Sequence, residues 1–166
     1  MRRALAMLGV AVVLCGSIAT MMRPPLPRLL WNASASAPVG LWRIDPGATP
    51  GRGDMVAARL AEPWRDFAAR RHYLPANVPL IKRVAAIAGD RICAKGRLVF
   101  VNGEAVAARR RFDAARRAMP VWHGCKVLGD GQILLLMDAP DSFDGRYFGV
   151  TLRRDIIGKA VPLWLR

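Results

Sequence analysis

Phe100-Val101-Asn102-Gly103-Glu104-Ala105-Val106 decides the fold. An Asn-Gly pair between apolar residues suits a type I′ turn, whose two central residues need positive φ and whose twist matches antiparallel strands. The same pattern runs outward in both directions. Short apolar runs alternate with Gly, Pro and Asp, which predicts strands near Gly40–Ile44, Asp54–Leu60, Leu80–Ala88, Leu98–Val101, Gln132–Met137 and Ile156–Leu165. Pro63–Arg71 and Glu104–Arg117 are rich in Ala and Arg and read as short helices or loops. The expectation is a mainly β, antiparallel domain with two less regular insertions, free of internal repeats.

The chain has 166 residues, room for one domain and little more. Ala4 to Met22 carries no charge and is flanked by Arg2, Arg3 and Arg23. As a helix it spans about 28 Å, close to the ~30 Å hydrocarbon core of a bilayer. A transmembrane anchor is one reading; a cleavable signal peptide is the other, because Ser17-Ile18-Ala19 offers small residues where a leader peptidase cuts. Either way the body is exported. The expected division is an anchor at 1–23, a Pro-stiffened linker at 24–31 (Pro24, Pro25, Pro27) and a β domain at 32–166. Basic flanks are nearly balanced; with the free amino terminus they favour a cytoplasmic N-terminus.

Twenty-six Lys and Arg against 12 Asp and Glu leave a formal charge of +14. Such a surface suits nucleic acid or an anionic leaflet, and charge alone does not choose between them. Arg109–Arg111 with Arg116–Arg117 is the cluster a nucleic-acid reading would use. Of three cysteines, Cys15 lies in the apolar run, leaving Cys93 and Cys125. In an exported chain the pair reads first as a disulfide, worth on the order of 3 kcal/mol in the chain-entropy model; two unpaired buried thiols are the plainer alternative. No metal site is expected: His123 and Cys125 are close, but there is no C-x-x-C and the only other histidine is His72.

No phosphate-binding loop, G-x-S-x-G elbow or H-E-x-x-H is present, and neither His72 nor His123 has the surroundings of a catalytic base. Lysine is the remaining candidate. In Leu80-Ile81-Lys82-Arg83-Val84-Ala85-Ala86, strand alternation puts Lys82 on one face with Leu80, Val84 and Ala86. An ammonium there is poorly solvated, its pKa falls, and the neutral amine can take a proton from a hydroxyl. A lysine snorkelling from a strand edge is the ordinary alternative. Two further stretches stand out. Asn32-Ala33-Ser34-Ala35-Ser36-Ala37-Pro38-Val39-Gly40-Leu41-Trp42 surrounds Ser36 with small residues and a turn, allowing close approach of a substrate backbone. Asp141-Ser142-Phe143-Asp144-Gly145-Arg146-Tyr147-Phe148-Gly149 is dense in polar and aromatic residues, with Asp144 and Arg146 placed to bridge.

Three blocks in this order, Ser-x-Pro-x-Gly-Leu-Trp at 36–42, Lys-Arg-Val at 82–84 followed by Gly89-Asp90, and Ser-Phe-Asp-Gly-Arg-Tyr-Phe-Gly at 142–149, resemble the type I signal peptidase superfamily. The closest resemblance is to its TraF-type branch of conjugative transfer. Ser stands two residues before the Pro rather than three, and Met137-Asp138-Ala139-Pro140 replaces the Gly-Asp-Asn of general signal peptidases. Both departures point to a dedicated processor rather than a housekeeping enzyme. The resemblance implies Ser36 as nucleophile and Lys82 as general base. It implies an oxyanion hole from the Ser36 N–H and the Ser34 hydroxyl, Ser142 orienting the Lys82 amine, and Asp144, Arg146 and Arg83 in support. It needs no cofactor. It implies an antiparallel β fold on a single-pass inner-membrane anchor, with the catalytic domain on the periplasmic side. Its partners would be the membrane and a precursor protein such as a conjugative pilin, cut after small residues and released linear or cyclised, with no nucleic acid. A non-catalytic subunit of the conjugation or secretion apparatus is the rival from another class.

Overall fold

A computed structural model describes the backbone of residues 2–22 and 26–166. Helix α1 (Arg2–Met22) precedes the body. Among the described residues no helix is long and apolar enough to cross a membrane. The expected anchor at 1–23 and the Pro24-Pro25 part of the linker lie partly outside this description. Within α1, Leu5, Met7, Leu8, Val10, Val12, Val13 and Leu14 are all more than half exposed.

The body contains β1 (Leu29–Asn32), β2 (Gly40–Asp45), β3 (Met55–Ala58), β4 (Leu80–Ala86), β5 (Arg91–Lys95), β6 (Leu98–Val101), β7 (Glu104–Ala108), β8 (Gly124–Val127), β9 (Gln132–Leu136), β10 (Val150–Leu152) and β11 (Ile156–Leu165). Helices α2 (Trp64–Arg70) and α3 (Gly145–Phe148) are short. Every strand pairing is antiparallel. A seven-stranded sheet has the order β1-β2-β11-β3-β4-β9-β10, and a four-stranded sheet has the order β7-β6-β5-β8.

The Asn-Gly turn joins β6 to β7 with Val101 opposite Glu104, and both Asn102 (φ 51°) and Gly103 (φ 93°) hold the left-handed conformation expected. Glu104–Ala108 is therefore a strand: pairing across this turn overrides the helical leaning of its alanines. Pro63–Arg71 does form a helix, α2. The sheet takes up the chain at Leu29, before the expected end of the linker at 31, because β1 pairs with β2 from Leu29 to Asn32.

One face of β4 and β9 packs Val56, Leu80, Val84, Leu135 and Phe148 into a single apolar cluster. The other face presents Ala86, Leu134 and Leu136 to Ile92, Val99 and Leu128 of the small sheet region. Each such buried aliphatic side chain contributes roughly 1.5–3 kcal/mol, so this two-sided burial makes β4 and β9 the fixed centre of the fold. A register shift between Val84 and Ala86 turns Ala86 to the face opposite Lys82, correcting the simple alternation read from the sequence. The outer face of the small sheet carries the Cys93–Cys125 disulfide between opposed residues of β5 and β8.

β11 bridges the large sheet, pairing with β3 through its first half and with β2 through its second. Backbones approach closely where β2 begins. A Cβ on Gly40 would lie 2.1 Å from the Trp164 carbonyl oxygen and 2.9 Å from Leu165 Cα. Neither atom belongs to a side chain that can swing away. Gly40→Ala is expected to separate the ends of β2 and β11 and to cost about 3 kcal/mol or more in urea denaturation; an unchanged midpoint would show that the two strands part freely there.

Candidate active site

Lys82 is fixed by its strand. Val56 lies opposite it on β3, Leu80 and Val84 flank it on the same face, and only 3% of its surface is exposed. Its Nζ donates to Ser36 Oγ at 2.7 Å and to Ser142 Oγ at 2.9 Å. Burial pushes the amine down from 10.5 to about 8. Asp144 opposes that shift, Arg146 reinforces it, and Asp141 opposes it more weakly.

Why no carboxylate captures the lysine is answered by α3. Asp144 is fully buried and caps the helix, accepting from the Arg146 backbone N–H at 3.1 Å. The Arg146 guanidinium donates to both its oxygens, at 2.8 and 3.0 Å, and the Met137 N–H adds a bond of 3.0 Å. Arg146 also donates to the carbonyls of Met137, Ala108 and Pro140. The carboxylate is thus committed to arginine, and its field at Lys82 is largely cancelled. Lys82 keeps two hydroxyl partners and, among the described residues, no ion pair.

Ser36 sits half-buried in the loop between β1 and β2. The Ser34 hydroxyl lies 3.0 Å from its Oγ, and the Ser36 N–H points at Ser34 Oγ across 3.4 Å. Ser142 is buried at the turn after Ala139, whose carbonyl accepts its N–H at 3.1 Å. The residues expected at the site are therefore brought together, with one exception. Arg83 points to the opposite side of β4 and forms a surface ion pair with Asp138 at 2.9 Å. Strand alternation forces this, because a neighbour of Lys82 in sequence cannot share its face.

Several contributors were not singled out in the sequence. Asn32, buried at the end of β1, bonds repeatedly to the Ser36 loop. Its position two residues before Ser34 was the available signal, since Asn side chains close local turns. Phe143 stacks with Phe67 and Tyr147 and tilts against Tyr73, forming an aromatic wall. Trp122 donates to the Gly145 carbonyl at 3.0 Å, and Tyr147 Oη accepts the Arg110 N–H at 3.0 Å. A groove of about 650 Å³ runs past Ser36 and Lys82, walled on its far side by Tyr73, Phe112, Met119 and Phe143.

The arginine cluster is partly consumed by the fold. Arg109 is buried against the carbonyls of Trp122 and Gly96, and Arg117 is tied to Asp113 at 2.7 Å. Asp113 also accepts from the Tyr73 hydroxyl at 2.5 Å, pinning the 109–119 segment over the groove.

Chemically, a buried amine with a lowered pKa, donating to one hydroxyl and touching another, is equipped to accept that second hydroxyl's proton. The free amine has one lone pair and two hydrogens. Ser142 can take a hydrogen while the lone pair faces Ser36.

The chain matches the family described as signal peptidase, peptidase S26, over residues 1–165. It is 32% identical over 143 residues to a conjugal transfer protein TraF of Agrobacterium fabrum, spanning 80% of each chain. It is 32% identical over 142 residues, again 80% of each, to a plasmid transfer protein TraF of Escherichia coli. A probable conjugal transfer protein TraF of Sinorhizobium fredii is 33% identical over 167 residues, covering 93% of this chain and 86% of that one. Among solved structures, a signal peptidase I of Enterococcus faecalis V583 is 18% identical with a TM-score of 0.40, covering 68% of this chain and 97% of that one.

Proposed function

The chain belongs to the signal peptidase family, peptidase S26, in its TraF-type branch, and from that premise we propose that it is a serine endopeptidase working through a Ser36/Lys82 dyad. The observation that carries the proposal is the 2.7 Å contact between Lys82 Nζ and Ser36 Oγ, made by an amine whose burial brings it to about 8. In the proposed reaction Ser36 Oγ attacks the scissile carbonyl and its proton passes to the Lys82 amine. The Ser36 N–H and Ser34 hydroxyl turn from each other to the developing oxyanion, a stabilisation worth about 2.7–4 kcal/mol per donor. Lys82 then returns the proton to the leaving amine, leaving an acyl ester on Ser36. Water or an amine of the substrate itself resolves the ester; water gives a linear product, and the substrate's own amine closes a ring.

The substrate we propose is an exported precursor, probed first as the pilin precursor of a conjugation system, because the curated relatives of this chain are named for conjugal and plasmid transfer. Placement on the inner membrane with the body in the periplasm rests on the sequence reading of the uncharged run Ala4–Met22 as an anchor. The disulfide agrees with an oxidising compartment.

Co-expression with the pilin precursor tests the assignment. Wild type should shorten the precursor and Ser36→Ala should leave it intact; equal processing by both would leave a non-catalytic assembly role. Mass spectrometry separates the products, since a ring weighs one water less than the cut linear chain. The pH profile is a second expected result. The working form is the unprotonated amine, so kcat should rise as pH passes about 8 and hold above it. An acid optimum would exclude Lys82 as the base.

A further inference from the structure

The Ser36 loop, Ala33-Ser34-Ala35-Ser36-Ala37-Pro38, has almost nothing of its own with which to hold a shape. Its side chains are small, and Ala33, Ser34, Ala35 and Pro38 are exposed. Ordering such a segment costs backbone conformational entropy at every residue. Something outside it must supply the order.

Asn32 does. Its Nδ2 lies 2.9 Å from the Ser34 carbonyl oxygen, 3.0 Å from that of Ala37 and 3.0 Å from that of Pro38. Its Oδ1 accepts the Ser34 N–H at 3.2 Å. The amide has two N–H bonds for three acceptors, so one is shared. No other orientation works, because the reversed amide would set its oxygen against three carbonyl oxygens. The side chain is 8% exposed, anchored at the end of β1 where Asn32 pairs with Gly40.

The consequence for chemistry follows from which groups are held. Peptide planes on both sides of the Ser36 N–H are fixed, and the Ala37 N–H closes the turn onto the same Ser34 carbonyl at 3.3 Å. Three carbonyl oxygens are also turned toward Asn32. A carbonyl oxygen aimed at a developing oxyanion would repel it; drawn back, it leaves the space to N–H and O–H donors.

We propose that Asn32 is a positioning residue for the reaction: it touches no reacting atom but sets the Ser36 N–H and Ser34 hydroxyl in the geometry that receives the oxyanion. The proposal rests on the Ser/Lys peptidase reading and deepens it. It predicts an effect on turnover more than on substrate binding, because the donors it aligns act only once charge has developed. Misplacement by about 1 Å is enough for a hundredfold loss.

The full chain in detergent, assayed with an internally quenched peptide carrying Ala at the first and third positions before the scissile bond, provides the test. Asn32→Ala should lower kcat about ten- to a hundredfold with KM within twofold. The midpoint of the pH profile should stay at its wild-type value, since Lys82 keeps its surroundings. Asn32→Asp should be worse, because a carboxylate would face the three carbonyls. A kcat within twofold of wild type, or a loss carried by KM, overturns the proposal. Hydrogen exchange of the wild-type protein keeps it testable if the variants do not fold. The Ser34 amide should exchange at least about tenfold more slowly than an unstructured one, and free exchange there also overturns it. A peptide cut equally by Ser36→Ala, or not cut by wild type, sinks the peptidase reading instead.

Discussion

Replacing Lys82 with methionine is expected to abolish processing while leaving the protein no less stable at neutral pH. The loss of activity should reach about 10³-fold, within the range a positioned general base contributes. Lys82→Arg should be equally inactive, because a guanidinium does not give up its proton. The stability half of the prediction comes from the same burial. Lys82 titrates near 8 in the folded protein against 10.5 for the free side chain. At about 1.4 kcal/mol per pH unit, holding it protonated in the fold costs on the order of 3 kcal/mol. Between those two pH values the unfolded chain binds the extra proton, so wild-type stability rises with pH there; below 8 the cost is full and constant. Methionine removes that cost but leaves the Ser142 hydroxyl without its Lys82 bond, and the two effects nearly offset at pH 7. The decisive measurement is urea denaturation of both proteins at pH 7 and pH 10. Wild type should gain relative to Lys82→Met by about 2–3 kcal/mol on going up. A difference that does not move with pH would mean that the amine is not desolvated.

Asp144→Asn is expected to cost about 3–5 kcal/mol, because it strands the Arg146 guanidinium, 2% exposed, without a counter-charge. The variant also carries a functional sign. With the Asp144 carboxylate gone, the Arg146 charge on Lys82 is opposed only by the weaker effect of Asp141, so the activity midpoint should fall below about 8. Arg146→Met should do the reverse: the surviving Asp144 charge favours the ammonium and moves the midpoint up. Thermal denaturation gives the first quantity and the pH dependence of kcat the second. Shifts of the same sign in both variants would show that the pair acts on the lysine through packing rather than charge.

The residues of the candidate site were largely legible in the sequence because each sits in a short, compositionally odd block. Ser36 lies among alanines, Lys82 among aliphatics, and Ser142 to Arg146 in a polar run after an apolar strand. The strands that escaped notice are short ones. All four residues of β8 are exposed, so backbone pairing and the disulfide hold it rather than an apolar face. β1, β5 and β10 run only four, five and three residues, too short for a period to register in the sequence even where burial alternates, as in β5. Ala86 was misplaced because a register shift changes the parity of every later residue without altering composition. Arg83 is placed in support by the resemblance, whereas pleating sends it to the face of β4 opposite Lys82. Asn32 looked like any polar residue before a turn. Its importance appears only when the chain folds back and offers it three carbonyls together.

β2 is flanked by β1 on one side and by the second half of β11 on the other, with Leu165 opposite Gly40 and the Arg166 N–H bonded to the Val39 carbonyl at 2.9 Å. The first strands of the body therefore wait for its last ones. A nascent polypeptide paused anywhere before residue 160 carries the Ser36 loop beside an unzipped edge. If Ser36 and Lys82 act as proposed, cleaving power would emerge late in biogenesis, when the tail has been threaded between strands laid down about a hundred residues earlier.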